Sequence, residues 1–520
     1  APVPQAGPAI VAAPTPAILS ASGPAALGVG GEGEIDVRIE VDDANARPLT
    51  ASTSTAINLV DTIAVIVTIS GDAIELVDPW MKTVDPPSAL RPVSLHFAVR
   101  ARAVGVASVA VQFMQGSAPL GIVRLSLTVS ATAGAPDART TLQAVAAAPA
   151  PDAKNVLSLF IEEQAQGDHL IYRYLLTWDA KQLRYADFAS APFLARAGGV
   201  SATPFAYVQS IYRRIVERAL VSYDDIPVFK QEVQGIGVDM CRQLFSDELA
   251  RLLWQQRDDL EHVWITSKEA YVPWELLVLK NPDGVGAKAI DDRHLAERRL
   301  LRSLRGRQGS ERLALADWRY VLADFPEGSF PQTQNDLALF TDTLPQHGAH
   351  VEAIAPDPAQ VLAALSEGQF DVFHLSGHGE ATPERIEEAT LILGDRRKPN
   401  GQVETIGVTP ATVSAQADLT ARHPIIFLNA CETGRQAASL TDLGGWPKAF
   451  LDAGASAFVG TSWPVRDKPA AAFSRTFYEA LLDHHTLADA AGEARAAAKK
   501  LGDASWLAYT VYGQPFAKAE

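Results

Sequence analysis

A chain of 520 residues, 47% hydrophobic and 20% charged, is long enough for more than one domain and apolar enough to bury a core in each. Its 61 acidic residues outweigh 45 basic ones, for a net charge of −16; a surface of that sign repels phosphates, so no nucleic-acid partner is expected. Two cysteines exclude a disulfide framework and suit a reducing, cytoplasmic setting. No apolar run reaches the roughly 18 residues of a membrane span, so no membrane partner is expected either.

In chain order, the opening "APVPQAGPAIVAAPTPAILSASGPAALG" lacks the basic start of a secretory signal and reads as a mobile Ala/Pro-rich segment over 1–30. The chain starts at Ala1 rather than Met and reads as a trimmed or processed piece of something longer. Over 31–131, runs such as "GEIDVRIEVDD", "AINLVDTIAVIVTIS" and "VSLHFAVRARAVG" alternate with period two between Gly, Pro and Asp signals, which predicts a small β-sandwich. No catalytic cluster stands out in it. Residues 132–153 read as an Ala/Pro/Asp linker.

From 154 the period changes. "NVLSLFIEE" and "HLIYRYLLTW" read as strands, "PFAYVQSIYRRIVERAL" and "IGVDMCRQLFSDELARLLWQQ" as helices. Cys241 lies in the second helix among Val238, Leu244 and Phe245 and reads as core packing. The basic run "RHLAERRLLRSLRGRQGSERL", 293–313, is the best local patch for an anionic partner. Acidic residues are interspersed, however, and a solvated helix face is the simpler reading. From about 312 strands and helices alternate to the end, where "WLAYTVYGQP" reads as the strand that closes the sheet. That rhythm predicts an α/β domain with a mainly parallel sheet covered on both faces.

In such sheets ligands sit beyond the carboxyl ends of the strands. "FHLSGHGE" delivers Gly377, His378 and Gly379 at one strand end, running into a Gly turn, and "FLNACETG" delivers Cys431 at another. A thiolate that attacks a carbonyl needs a group to take or hold its proton, and an imidazole in reach does both. Gly379 lets a substrate approach the backbone. The amides of Gly379 and Cys431 can face the developing oxyanion, each donor being worth roughly 3–4 kcal/mol. Taken singly, a cysteine at the end of an apolar run is ordinarily buried packing. His374, between Phe373 and Leu375, reads as a packed or locally bonded histidine. The combination carries the hypothesis: two reactive strand ends, 53 positions apart, against the roughly 50 that separate His and Cys in caspase-type chains. Structural zinc needs three or four ligands at set spacings, and no phosphate loop occurs, so no metal or cofactor is expected.

These two motifs resemble the CHAT-domain family of caspase-like cysteine peptidases, relatives of separases, caspases and gingipains. "YVPWELLVL", with Pro273, Trp274 and Glu275, is similar to the family's Pro-Trp-Glu segment, and "AFLDAGASAFVGTSWPVRD" and "WLAYTVYGQP" to its later elements. The resemblance covers roughly 154–520; none is found for the first 150 residues. It implies a caspase-like αβα sandwich, with a pseudo-catalytic half over 154–305 and a catalytic half over 306–520. It implies His378 as general acid/base, Cys431 as nucleophile, and Gly379 and Cys431 as the oxyanion hole. Glu275 is then structural, holding a buried backbone group or an Arg. Asn429, two before the cysteine, falls at the S1 pocket. Asp467 either supplies that pocket's charge or sits at a helix start, and Trp463 either walls it or packs. The resemblance further implies a protein substrate, a regulatory partner bound by the β-domain, and a bacterial signalling or defence role. The alternative is a catalytically silent scaffold.

Overall fold

The computed structural model describes residues 17–41, 62–70, 73–85, 87, 91–115, 118–131, 139–145, 156–166, 169–191, 204–219, 226–267, 271–304, 310–323, 337–382, 385–398, 400, 402–430, 445–463 and 465–520. They form two compact units that divide between 154 and 155. Among the described residues no helix is long and apolar enough to cross a membrane.

The N-terminal unit is a sandwich of two five-stranded sheets. One has the order Arg139–Val145, Ala17–Pro24, Glu32–Val41, Val93–Ala101, Ile74–Leu76; the other is Ala26–Gly28, Ala118–Ser130, Gly105–Gln115, Ile63–Ser70, Met81–Val84. Alternate residues such as Ile35, Val37 and Ile39 from the first, and Val109, Val111 and Phe113 from the second, share one core. Two of these strands correct the sequence expectation. Ala17–Pro24 lies in the stretch read as mobile and Arg139–Val145 in the stretch read as a linker. They pair with each other, and Ala17–Pro24 pairs also with Glu32–Val41. Small Ala, Ser and Gly side chains hide the alternation, yet Leu19 and Ala21 reach the core.

The second unit is built on one thirteen-stranded sheet. Its first half contributes β1 (Val156–Gln166), β2 (His169–Trp178), β3 (Leu183–Ala189), β4 (His262–Ser267) and β5 (Leu301–Leu304). Its second half contributes β6 (Asp317–Leu322), β7 (His350–Ala353), β8 (Val372–Thr382), β9 (Arg385–Arg397), β10 (Val403–Val408), β11 (Ile425–Ala430), β12 (Ala457–Thr461) and β13 (Tyr509–Tyr512). The order is β3-β2-β1-β4-β5-β13-β12-β11-β8-β6-β7, with β9 and β10 continuing from the end of β8. β13 does not close the sheet at an edge, as the sequence suggested. It sits at the middle, parallel to β5 and antiparallel to β12. The parallel strands of the two halves therefore run in opposite directions and present their carboxyl ends at opposite rims.

The helices are α1 (Pro204–Ala219), α2 (Ile226–Leu244), α3 (Asp247–Gln255), α4 (Pro358–Glu367), α5 (Pro410–Gln416), α6 (Trp446–Ala453), α7 (Asp467–Leu482) and α8 (Leu487–Lys499). The helix expected through "IGVDMCRQLFSDELARLLWQQ" is two, because the Ser246 hydroxyl caps α3, accepting from the Leu249 amide at 3.2 Å. In the second half one sheet face, with Phe373, Leu375, Ile426 and Leu428, packs on α4, α5 and α6. The other, with His374 and Phe427, packs on Tyr478 and Phe477 of α7. α4 shows how the sequence sets an element's limits. Asp357 caps it, Pro358 opens it, and Gly368 ends it at φ 61°, where a Cβ would stand 2.1 Å from the Asp418 carbonyl. The fold class is thus the expected αβα sandwich preceded by an all-β domain.

Candidate active site

β8 and β11 are parallel neighbours in a register that pairs His374 with Phe427, Ser376 with Asn429 and Gly377 with Ala430. His378 is the next residue of β8 and is half-buried. Cys431 follows Ala430 in the sequence and lies outside the described residues. The expected Gly turn at 377–379 is instead continuous strand: β8 runs on to Thr382 and pairs antiparallel with β9, His378 facing Ile392 and Gly379 facing Leu391. Gly377 makes this possible, since a Cβ there would stand 2.8 Å from the Ile392 carbonyl oxygen.

His374 and His378 share a face of β8 but not an environment. His374 is fully buried, with Nδ1 2.8 Å from the Tyr478 hydroxyl and Nε2 2.9 Å from the Ser376 hydroxyl. Its ring stacks on Phe427 at 4.9 Å and meets the edge of Phe340 at 4.9 Å. It is a core histidine with polar partners in an aromatic nest. Cys241 is likewise buried, and burial pushes its thiol up to about 11, which keeps it protonated and unreactive at neutral pH.

Of the residues expected at the S1 pocket, Asn429 is fully buried, its Oδ1 accepting from the Tyr509 hydroxyl at 3.0 Å. Trp463 is also buried, its ring 6.5 Å from that of Tyr212 in α1. Asp467 is the first residue of α7, where a carboxylate complements the helix dipole, and it is partly exposed.

Glu275 has Arg neighbours on the inside of the sheet. Its carboxylate lies 3.8 Å from the Arg302 guanidinium, and both side chains are 1% exposed. Arg302 also lies over the Tyr512 ring at 5.1 Å, and its carbonyl accepts from Gly513 at 2.9 Å. Arg495 of α8, fully enclosed, donates to the carbonyls of Leu300 at 2.8 Å and Tyr509 at 3.0 Å. Burial pushes its guanidinium down to about 10, with Glu275 opposing the shift. These contacts stitch β5 to β13, the join between the halves. They also correct the reading of 293–313. That run is not a solvated helix face: it contains β5, and its Arg298 and Arg302 are buried, Arg298 paired with Asp291.

Sequence reasoning missed Tyr509. The signal available was a tyrosine at the head of "YTVY", a strand buried on both faces. Among the described residues, Glu34, Asp36 and His96 stand close enough together to share a metal ion, but they lie on the outer face of the sandwich, where such clusters are ordinary surface.

A profile of the CHAT domain matches residues 239–514, and a profile of a domain of unknown function, DUF7363, matches 21–125. The first is shorter than the 154–520 expected, and the second falls on the sandwich, for which the sequence offered no resemblance. No match was found among curated proteins. Among solved structures the chain is similar to the Arg-specific cysteine proteinase gingipain R, at 12% identity over 60% of this chain and 74% of that one, with a TM-score of 0.33. It is similar to the Saccharomyces cerevisiae separase–securin complex at 11% identity over 69% of this chain and 30% of that one, TM-score 0.38. It is also similar to WR4, a C. elegans MSP family member, at 13% identity over 21% of this chain and 94% of that one, TM-score 0.15. The profile match spans more than half of the sequence and includes both reactive motifs, and the chain belongs to the CHAT-domain family.

Proposed function

We propose that the chain is a cysteine endopeptidase, with Cys431 as nucleophile and His378 as general acid/base, acting on an extended protein segment. The observation that carries this reading is the parallel pairing of β8 with β11 as far as Gly377 and Ala430. His378 and Cys431 each follow that last pair by one residue in the sequence. The imidazole takes the thiol proton, and the thiolate attacks the scissile carbonyl. The amides of Gly379 and Cys431 stabilise the oxyanion. The imidazolium gives its proton to the leaving amine as the C–N bond breaks, and water then hydrolyses the thioester and restores the thiol. The substrate adds as a strand along the sheet rim. Asp467, partly exposed at the head of α7, is the acidic group offered to a basic P1 side chain. The first half of the sheet buttresses the second, and the sandwich recruits a regulatory protein.

Cleavage of a peptide library by the wild-type chain and by Cys431→Ala tests the reading. The variant should lose all cleavage while its melting temperature stays within a few degrees. Equal cleavage by both removes Cys431 from the chemistry. A wild-type chain that neither cleaves nor reacts at Cys431 with a thiol-directed peptide electrophile leaves the scaffold reading in its place.

A further inference from the structure

We propose that Tyr509 is a positioning residue for the strand that leads to Cys431, acting through the side chain of Asn429. Its consequence for cleavage rests on the peptidase reading above; its consequence for thiol reactivity does not.

Four neighbouring strands place polar side chains at one level of the sheet, just below the ends that point to the rim. Ser376 of β8 is in register with Asn429 of β11, and Thr461 of β12 with Tyr509 of β13. All four are buried. The Tyr509 hydroxyl passes across β12 to donate to Asn429 Oδ1 at 3.0 Å. The next level inward on this face holds His374, Phe427 and Val459 in register. A carboxamide placed in that setting is stable only with its hydrogen bonds made, so the Tyr509 bond selects one Asn429 rotamer and one height for the end of β11.

Tyr509 is itself held from two sides. Its ring lies flat on Phe473 of α7, with centroids 3.6 Å apart and planes 7° apart. Its carbonyl accepts from Arg495, whose other terminal nitrogen donates to the carbonyl of Leu300, the residue before β5. The hydroxyl therefore carries the position of the join between the halves to a residue two before Cys431 in the sequence. Asn429 is assigned to holding its own strand rather than to contacting a substrate side chain.

The test is the rate at which iodoacetamide alkylates Cys431, read by mass spectrometry of its peptide from pH 5 to 9. The full chain is compared as wild type, Tyr509→Phe, Asn429→Leu and the double variant. This readout needs no substrate, so it stands whether or not the chain cleaves peptides. Tyr509→Phe keeps the stacked ring and should slow alkylation about five- to tenfold or displace its pH midpoint. Asn429→Leu should do the same, and the double variant should be no slower than the slower single, as for two ends of one bond. Where cleavage is seen, the loss should fall in kcat, with KM within about twofold. Tyr509→Phe alkylating within twofold of wild type at every pH, or the two single effects multiplying in the double, overturns the proposal. If either single variant fails to fold, the double variant decides. It leaves neither polar group buried without its partner, and slow alkylation supports the proposal while a wild-type rate overturns it.

Discussion

The two halves of the large sheet use the same kind of parallel strands and differ in what those strands carry. In the first half β4 ends at Ser267 and β5 at Leu304, and their carboxyl ends point to the rim opposite His378. What this half contributes instead is internal charge: Glu275 with Arg302, and Asp291 with Arg298, all buried. The second half carries the reactive motifs and a hairpin, β9 and β10, that extends β8 past the last rung shared with β11. Because β13 reverses direction against β12, no carboxyl end of β4 or β5 reaches the rim where His378 stands. The comparison teaches that joining two parallel sets through one antiparallel pair makes the sheet one-sided: one rim carries the reactive motifs, and a seam of buried charge lies at the join of the halves.

The sharpest way to break this comparison is to exchange the roles of two histidines on β8. His378→Ala should lower cleavage by about 10²–10⁴-fold with little change in stability. His374→Ala should lower cleavage less than about tenfold. It should nevertheless reduce the unfolding free energy by about 2–4 kcal/mol, because it opens a cavity beside Phe427 and strips a partner from Tyr478 and Ser376. Activity and urea denaturation measured on both variants decide it; equal losses of activity would place both imidazoles in the mechanism.

Next in size is the seam. Glu275→Ala leaves Arg302 and Arg495 enclosed without their carboxylate and should cost about 3–5 kcal/mol in urea denaturation. A cost under about 1 kcal/mol would show that the halves are held by apolar packing alone.

Acid should loosen the same seam in two stages. His294, whose Nδ1 lies 2.6 Å from the Leu276 carbonyl, is buried, and burial holds its imidazole below the ordinary 6.5. The unfolded chain then binds a proton that the folded one refuses, so stability is full above pH 6.5 and falls as the pH drops below it. Asp489 of α8 is held below the ordinary 3.8, first by His262, whose Nε2 lies 3.7 Å away, and then by Thr486 and Arg299, against its own desolvation. Its contribution is present above that value and disappears as the pH falls further. Asp489→Asn should flatten the second stage and leave the first; thermal melts from pH 8 to pH 3 read both.

The smallest effect is a count. Native protein should present one rapidly reacting thiol to a disulfide reagent at pH 8, and denatured protein two, because the buried Cys241 thiol titrates at about 11. Two fast thiols in the native state would place Cys241 outside the core.

Much of this was legible in the sequence because it is local. Period-two and 3.6 patterns placed most strands and helices. His374 between Phe373 and Leu375 read as a core residue. What was not legible depended on partners distant in the chain. Ala17–Pro24 looks mobile until Arg139–Val145 and Glu32–Val41 supply its hydrogen bonds. Arg298 and Arg302 look solvated until Asp291 and Glu275 arrive. Gly377 looks like a turn until β9 approaches its bare Cα.

The sequence by itself determined the residue types, the local periodicity of most elements and the two reactive motifs, since these follow from side-chain chemistry and from spacing along one strand or helix. Only the tertiary structure decided that β13 stands at the centre of the sheet, that the halves run in opposite directions, and that Tyr509 reaches Asn429 eighty residues away. Those are choices of pairing between segments far apart in sequence. The backbone groups of a strand pair equally well with many neighbours, and the choice falls to whichever arrangement buries all the apolar faces together while leaving each enclosed charge a partner.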